Sequence, residues 1–242
     1  MLTAVWRLLR LLAHVGSGLW MVHLRFKGLD KVARHAAIQA WSAKTLRILG
    51  IELKHSGTPR PGPKLVLANH VSWLDIAAVH AVMPEARFVS KADIKHWPLV
   101  GALVEAAGTL FIERSSKRDA LRVVHQTAAA LKEGDTVAVF PEGTTGPGPE
   151  LLPFHANLLQ AAIVTEVPIQ PLLLRWHGPG ERFSTQLRFI GDMTLMQSLW
   201  AIASARGQGC ELRILGSIDC AHADRRALSE HVRETLAAEL ST

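Results

Sequence analysis

The chain has 242 residues, of which 48% are hydrophobic and 20% charged, and this composition excludes a disordered or extremely charged protein. Its length suits one domain, or one domain with an appendage, and its net charge of +6 favours anionic partners such as nucleic acid, an anionic lipid surface or an acidic carrier protein. The two cysteines, Cys210 and Cys220, imply no disulfide framework, favour a reducing compartment and lack the spacing of a zinc site.

The N-terminal 27 residues are rich in leucine, valine and tryptophan, but charges and histidines interrupt them too often for a good membrane-spanning helix. Placed on a helix, four polar residues fall on one stripe: Arg7, Arg10, His14 and Ser17. This pattern predicts an amphipathic helix in a membrane interface, with basic residues toward phosphate headgroups. The alternatives are a helix packed on its own domain and a signal peptide that lacks a cleavage site. We predict a membrane-attachment segment at 1–48 and the main domain at 49–242.

From residue 51 onward, short β-rich runs alternate with helical patterns. Strands are predicted at 51–57, 65–68, 87–91, 109–113, 136–140, 169–176, 186–190 and 211–218. Helices are predicted at 73–82, 98–108, 117–133, 155–166 and 222–240, with Ser116 and Asp119 as a capping box for the third. This order predicts the α/β class, with a mostly parallel sheet flanked by helices. Pro168 and Pro171 are unfavourable in a central strand.

The segment NHVSWLD, residues 69–75, joins an apolar strand to a helix. His70 therefore lies at the carboxyl end of a strand, where open α/β sheets bind their ligands. Ser72 and Asp75 predict a capping box, which gives the aspartate a purely structural role. The same geometry lets the carboxylate turn back to His70, fix its tautomer and leave the other ring nitrogen free to accept a proton. Taken alone, the spacing of His70 and Asp75 is weak evidence for a catalytic pair, because a histidine at a strand end is more often structural.

Other apolar runs also end in polar, turn-forming residues. GTLFIER ends at Arg114, and VAVFPEGTTG continues from a strand into Glu142. Because the carboxyl ends of parallel strands share one edge of a sheet, we expect His70, Asp75, Arg114 and Glu142 to converge. Taken singly, Arg114 is equally consistent with a solvated side chain and Glu142 with an ordinary loop.

Four segments in this order resemble the motifs of the glycerolipid acyltransferases of the 1-acylglycerol-3-phosphate O-acyltransferase (PlsC) type. They are NHVSWLD at 69–75, GTLFIER at 108–114, FPEGT at 140–144 and VPIQP at 167–171. The resemblance spans roughly residues 50–220. It implies an α/β acyltransferase fold with a basic, apolar membrane-facing surface. It also implies acyl transfer from acyl-ACP or acyl-CoA to the sn-2 hydroxyl of lysophosphatidic acid.

In this interpretation His70 is the general base and Asp75 orients it. Arg114 grips the acceptor phosphate through its planar guanidinium, and Lys91, at the end of the strand RFVSK, adds a second cation. The resemblance further implies that the glycerol-phosphate end is bound by Glu142, Gly143 and Thr144. No nucleophilic serine or cysteine is needed, because the thioester donor is already activated. Neither a metal nor a cofactor is expected, and the twelve histidines include no H-x3-H pair. The G-x-S-x-G elbow of α/β-hydrolases is missing.

The chain departs from the family pattern at two positions. Thr145 follows FPEGT where many members carry arginine, and His155 stands where a lysine or arginine is common. Both changes remove a cation, and the variant resembles the lyso-ornithine lipid acyltransferases, so that substrate is the alternative. A catalytically inactive membrane-binding protein of this fold is a further alternative, whereas spread basic residues without tyrosine disfavour nucleic-acid binding. The expected location is the cytoplasmic face of the inner membrane.

Overall fold

A computed structural model describes residues 1–112 and 117–242 of the chain, and Arg114 and Ser116 lie outside this part. The strands of the described residues are β1 (Ile51–Ser56), β2 (Lys64–Ala68), β3 (Ala86–Lys91), β4 (Leu110–Ile112), β5 (Thr136–Val139), β6 (Ile169–His177) and β7 (Gln208–Ile214). They form one sheet in the order β1-β7-β6-β2-β5-β3-β4. All neighbours are parallel except β6 and β7. The predicted α/β class with a mostly parallel sheet is confirmed.

Helices cover both faces of this sheet. They are α1 (Leu2–Leu24), α2 (Lys31–Leu49), α3 (Leu74–Val82), α4 (Val100–Ala106), α5 (Lys117–Lys132), α6 (Leu159–Thr165), α7 (Leu195–Ser204) and α8 (Arg225–Ser241). Strand β2 is buried along its whole length, with Val66 in the core on the side of α2 and α3, and Leu65 in the core on the side of α5, α6 and α8. This double covering explains why β2 is a continuous apolar run rather than an alternating one.

Two predictions after residue 180 are wrong or incomplete. The predicted strand at 186–190 is an irregular segment outside the sheet ladder. Helix α7 was not predicted, although its start carries a readable signal. Thr194 and Gln197 form a capping box in which the side chain of each accepts a hydrogen bond from the backbone N–H of the other.

Pro171 lies inside the central strand β6, although a proline is unfavourable at such a position. The antiparallel ladder to β7 begins one residue later, at Leu172 opposite Ile214. The Pro171 carbonyl accepts a hydrogen bond from Leu215 N at 3.0 Å just beyond that ladder. The missing proline N–H therefore falls where the pairing with β7 has ended, and the strand tolerates it.

Helix α1 directs part of its predicted polar stripe toward the domain and leaves its apolar side exposed. Arg7 donates to the carbonyl oxygens of Ala203 and Ala205 at the end of α7, and the buried His14 stacks on Trp41 of α2 at 4.8 Å between ring centroids. Part of the polar stripe therefore binds the protein itself. The solvent-facing side is apolar instead, with exposed fractions of 45–89% for Leu2, Val5, Trp6, Leu9, Leu12, Trp20 and Leu24. Within the described residues, no helix combines the length and hydropathy needed to cross a bilayer.

Candidate active site

The turn that joins β2 to α3 carries the first motif. Helix α3 begins at Leu74, so Ser72 is not its N-cap, and the predicted capping box forms only in part. Asp75 accepts a hydrogen bond from Ser72 N at 2.9 Å, but the Ser72 hydroxyl accepts from Leu74 N at 3.4 Å rather than from Asp75 N. The aspartate side chain therefore folds back over the turn that contains His70.

His70 and Asp75 form a direct hydrogen bond, with 2.7 Å between Nδ1 and Oδ2. The aspartate side chain is completely buried, whereas the histidine side chain is 18% exposed. Because an ionised carboxylate only accepts hydrogen bonds, Nδ1 carries the proton and Nε2 carries the lone pair. None of the described residues bonds to Nε2. This arrangement leaves one basic nitrogen available to a ligand that reaches the edge of the sheet.

The Asp75 carboxylate is held by four hydrogen-bond donors. Oδ2 also accepts from Val71 N at 2.7 Å and from Ser72 N, while Oδ1 accepts from the indole Nε1 of Trp176 at 2.6 Å. All of the partners other than His70 are neutral, and both oxygens are satisfied without a cation. Trp176 is a fully buried residue of β6 and does not belong to the site predicted from the sequence. A lone tryptophan in an aliphatic strand was the available signal, because a buried indole N–H needs an acceptor.

The FPEGT loop packs against the histidine from the other side. The Phe140 ring stacks on the His70 imidazole with 3.9 Å between centroids and 8° between planes. Glu142 accepts from His70 N at 2.7 Å through Oε1 and from Leu152 N at 2.9 Å through Oε2. Gly146 N closes the arrangement by donating to the His70 carbonyl at 2.7 Å. The backbone of the histidine is thereby fixed as firmly as its ring.

Glu142 is buried, and this burial raises the pKa of its carboxyl above the ordinary value, although hydrogen bonds from Leu152 N and His70 N act in the opposite direction. Its two oxygens are occupied by backbone groups of the protein. Gly143 follows in the left-handed region with φ +72°, which favours glycine, and Thr144 is exposed. The loop thus combines a buried acid that organises it with an exposed hydroxyl at its surface.

Of the two predicted phosphate-binding cations, Lys91 and Arg114, the structure describes only Lys91. Lys91 is exposed at the carboxyl end of β3, on the same edge of the sheet as His70, with β5 between β3 and β2. It pairs in register with Ile112, the last residue of β4. Arg114 follows two residues later and lies outside the described residues. The structure therefore brings together His70, Asp75 and Glu142, and places Lys91 at the same edge.

Comparisons with known proteins identify the family to which this chain is related. Residues 51–175 match the Acyltransferase family. The chain is 33% identical to a 1-acyl-sn-glycerol-3-phosphate acyltransferase of Neisseria gonorrhoeae, over 95% of this chain and 92% of that protein. It is 35% identical to a lyso-ornithine lipid O-acyltransferase of Pseudomonas aeruginosa, over 95% of this chain and 89% of that protein.

Its fold is similar to the crystal structure of the 1-acyl-sn-glycerophosphate acyltransferase PlsC from Thermotoga maritima. The TM-score is 0.74 at 21% identity, and the match covers 99% of this chain and 94% of the other. That likeness supports the α/β fold, while the family match and the two relatives in the preceding paragraph carry the assignment. The chain belongs to the Acyltransferase family, and it is an acyltransferase.

Proposed function

We propose that this acyltransferase moves a fatty acyl group from acyl-ACP or acyl-CoA to the sn-2 hydroxyl of lysophosphatidic acid, giving phosphatidic acid. The observation that carries the proposal is the His70–Asp75 hydrogen bond of 2.7 Å, whose carboxylate is buried and whose second imidazole nitrogen is available. Relatives named for lysophosphatidate and for lyso-ornithine lipid acylation support a lysolipid as the acceptor.

The proposed mechanism needs one base and one activated carbonyl. His70 Nε2 takes the proton of the acceptor hydroxyl while its oxygen attacks the thioester carbon. The tetrahedral intermediate then expels the donor's thiolate, which takes the proton from the imidazolium and leaves as the thiol. Asp75 holds the ring and stabilises its positive charge during this cycle. A positioned base of this kind contributes typically about 10²–10⁴-fold in rate, and the reaction requires neither a metal nor a further cofactor.

We assign the acceptor phosphate to Lys91, which is exposed at this edge of the sheet, and, on the resemblance of GTLFIER to the family motif, to Arg114. We assign the glycerol part to Thr144, and the exposure of its side chain on the FPEGT loop supports this role. Gly143 gives the loop its turn, and Glu142 acts on the substrate indirectly by fixing the loop and the His70 backbone.

We further propose that segment 1–48 attaches the enzyme to an anionic membrane on the cytoplasmic face of the inner membrane. Support comes from the exposed apolar side of α1, which includes Trp6 and Trp20, and from the net charge of +6. Tryptophan rings are favoured at the headgroup level, and basic residues are attracted to anionic lipids. The lysolipid acceptor would then reach the catalytic edge from the bilayer.

Lyso-ornithine lipid is the second candidate acceptor. It is favoured by Thr145 and by the 35% identity to a lyso-ornithine lipid O-acyltransferase. The hydroxyl of Thr145 donates to the Phe189 carbonyl, so this side chain replaces the expected cation by a contact within the protein.

The test uses purified protein in liposomes with labelled acyl-ACP or acyl-CoA, each offered with lysophosphatidic acid and with lyso-ornithine lipid. We expect labelled phosphatidic acid from the wild type and a loss of about 10²–10⁴-fold in His70→Ala. Product from the ornithine lipid alone would select the second acceptor. Absence of product from both would instead favour an inactive membrane-binding protein, and equal product from the variant would refute His70 as the base.

A further inference from the structure

The segment 186–190 runs along the catalytic edge of the sheet, where it contacts both active-site turns through one residue. Phe189 N donates to the Val71 carbonyl at 2.9 Å, and Val71 directly follows His70. The Phe189 carbonyl accepts the hydroxyl of Thr145, which directly follows the FPEGT segment. Leu187 is completely buried and anchors the segment in the core. Arg188 is thereby held between a core anchor and a backbone junction with the site.

Arg188 differs from most half-buried arginines of this chain in having no protein partner. Arg7, Arg87 and Arg175 all bond to carbonyl or carboxylate oxygens. The Arg188 side chain is half-buried as well, yet no residue of 1–112 or 117–242 forms a hydrogen bond or ion pair with it. Partial burial of an unpaired guanidinium costs desolvation energy, which an anionic ligand would offset.

We infer that Arg188 binds the anionic group of the acceptor lipid, taking over the role of the cation that this chain lacks at position 145. The Thr145 hydroxyl bonds to the backbone of the residue next to Arg188, so the two positions are neighbours at the same edge. A guanidinium presents a planar fork that suits the oxygens of a phosphate or a carboxylate. The inference rests on the acyl transfer proposed above and names the group that selects its acceptor.

The test measures acceptor selectivity in Arg188→Gln, Arg188→Lys and the control Arg226→Gln. Arg226 is exposed at the start of α8, so its replacement changes the net charge equally without touching this edge. The acceptors are lysophosphatidic acid, lyso-ornithine lipid and monoacylglycerol, which has no anionic group. For R188Q we expect the ratio of kcat/KM for the anionic over the neutral acceptor to fall about 10- to 100-fold, mainly through KM, as for a lost charged hydrogen bond.

Arg188→Lys should recover part of this ratio, and the acceptor that shows the loss identifies a phosphate or a carboxylate as the bound group. A ratio in R188Q equal to that in R226Q, for both anionic acceptors, would overturn the role of Arg188 while leaving acyl transfer intact. A wild type that acylates none of the acceptors would refute the proposed function instead. In that case a binding assay tests the role of Arg188 without catalysis. Labelled lysophosphatidate and lyso-ornithine lipid are added to His70→Ala in detergent micelles, with and without R188Q. If R188Q lowers the binding of neither lipid, the inference is refuted.

Discussion

The two ends of strand β2 hold charged side chains in different ways. At the amino end, Lys64 forms an ion pair with Glu85 at 3.6 Å. Asp135, which directly precedes the neighbouring strand β5, forms ion pairs with Arg87 at 2.5 Å and with Lys31 at 3.2 Å. At the carboxyl end, Asp75 and Glu142 accept backbone and indole N–H groups, and no ion pair with a lysine or arginine neutralises either carboxylate among the described residues. Opposite charges in contact stabilise a fold, whereas carboxylates that accept neutral N–H groups fix the two turns around His70.

Because of this contrast, we expect replacement of an aspartate by asparagine to have different effects at the two ends of β2. Asp75→Asn must turn an NH₂ group toward N–H donors in either orientation, because both carboxylate oxygens already accept hydrogen bonds. We expect a fall in kcat of about 10²–10⁴-fold, since His70 then loses its orientation and its counter-charge. Steady-state kinetics at saturating acceptor give the value, after circular dichroism has established that the variant is folded.

Asp135→Asn is the matched control, because it removes a carboxylate at the opposite end of the sheet. We expect D135N to retain the wild-type kcat. A folded D75N enzyme with more than about a tenth of the wild-type kcat would show that the carboxylate acts only as a helix-end contact.

Trp176→Phe tests the long-range part of the same site, with a smaller expected effect. The variant keeps an aromatic side chain in the core but leaves Asp75 Oδ1 without its indole donor. We expect kcat to fall about 10-fold with little change in KM, because an unsatisfied buried acceptor costs about 1–3 kcal/mol and lets the carboxylate shift. The measurement is a comparison of kcat with KM for both the donor and the acceptor.

Trp41→Phe provides the reference for a generic loss of an indole hydrogen bond. Trp41 donates to the His14 carbonyl between α1 and α2, away from the motif. We expect the Trp41→Phe variant to have a lower free energy of unfolding than the wild type but a similar kcat. Similar kcat values in the two variants would remove Trp176 from the catalytic arrangement.

The sequence predicts the near contacts of the site well and the distant ones poorly. The spacing of His70 and Asp75 places both in one short turn, so local geometry suffices to anticipate their hydrogen bond. Trp176 lies 101 residues from Asp75, and only the placement of β6 in the sheet brings its indole there. The hydrogen bond of Glu142 to His70 N likewise depends on β5 lying beside β2. A local sequence pattern does not predict contacts between residues so far apart in the chain.

The N-terminal helix shows a second limit, which concerns direction. Periodicity indicates that α1 has a polar stripe and an apolar side, but it does not say which side faces the domain. Arg7 finds the free carbonyl groups at the end of α7, and His14 finds Trp41, so the polar stripe turns inward. The orientation of α1 therefore depends on partners elsewhere in the fold. The carboxyl-terminal end of a helix leaves carbonyl groups without a partner in the helix, and an arginine can donate hydrogen bonds to them.

Asp135 gives the smallest and most condition-dependent effect. Burial raises the pKa of its carboxyl, but hydrogen bonds and charge from Arg87 and Lys31 outweigh this and hold the pKa below its ordinary value. A carboxyl with a lowered pKa in the folded state stabilises the fold above its unfolded pKa of about 3.9 and loses this contribution as the pH falls further. We therefore expect Asp135→Asn to lower the free energy of unfolding by about 1 kcal/mol at pH 7, since both partners are partly exposed.

The difference between wild type and D135N should shrink below about pH 4, where the Asp135 carboxyl of the unfolded chain takes up a proton before that of the folded protein. Urea unfolding at pH 7 and at pH 3.5, followed by tryptophan fluorescence, measures both values. A stability difference that stays constant over this range would show that the ion pairs contribute nothing and that the substitution acts through packing. A loss of kcat comparable to that of D75N would contradict the separation of the two ends, because it would mean that charges at the amino end also act on His70.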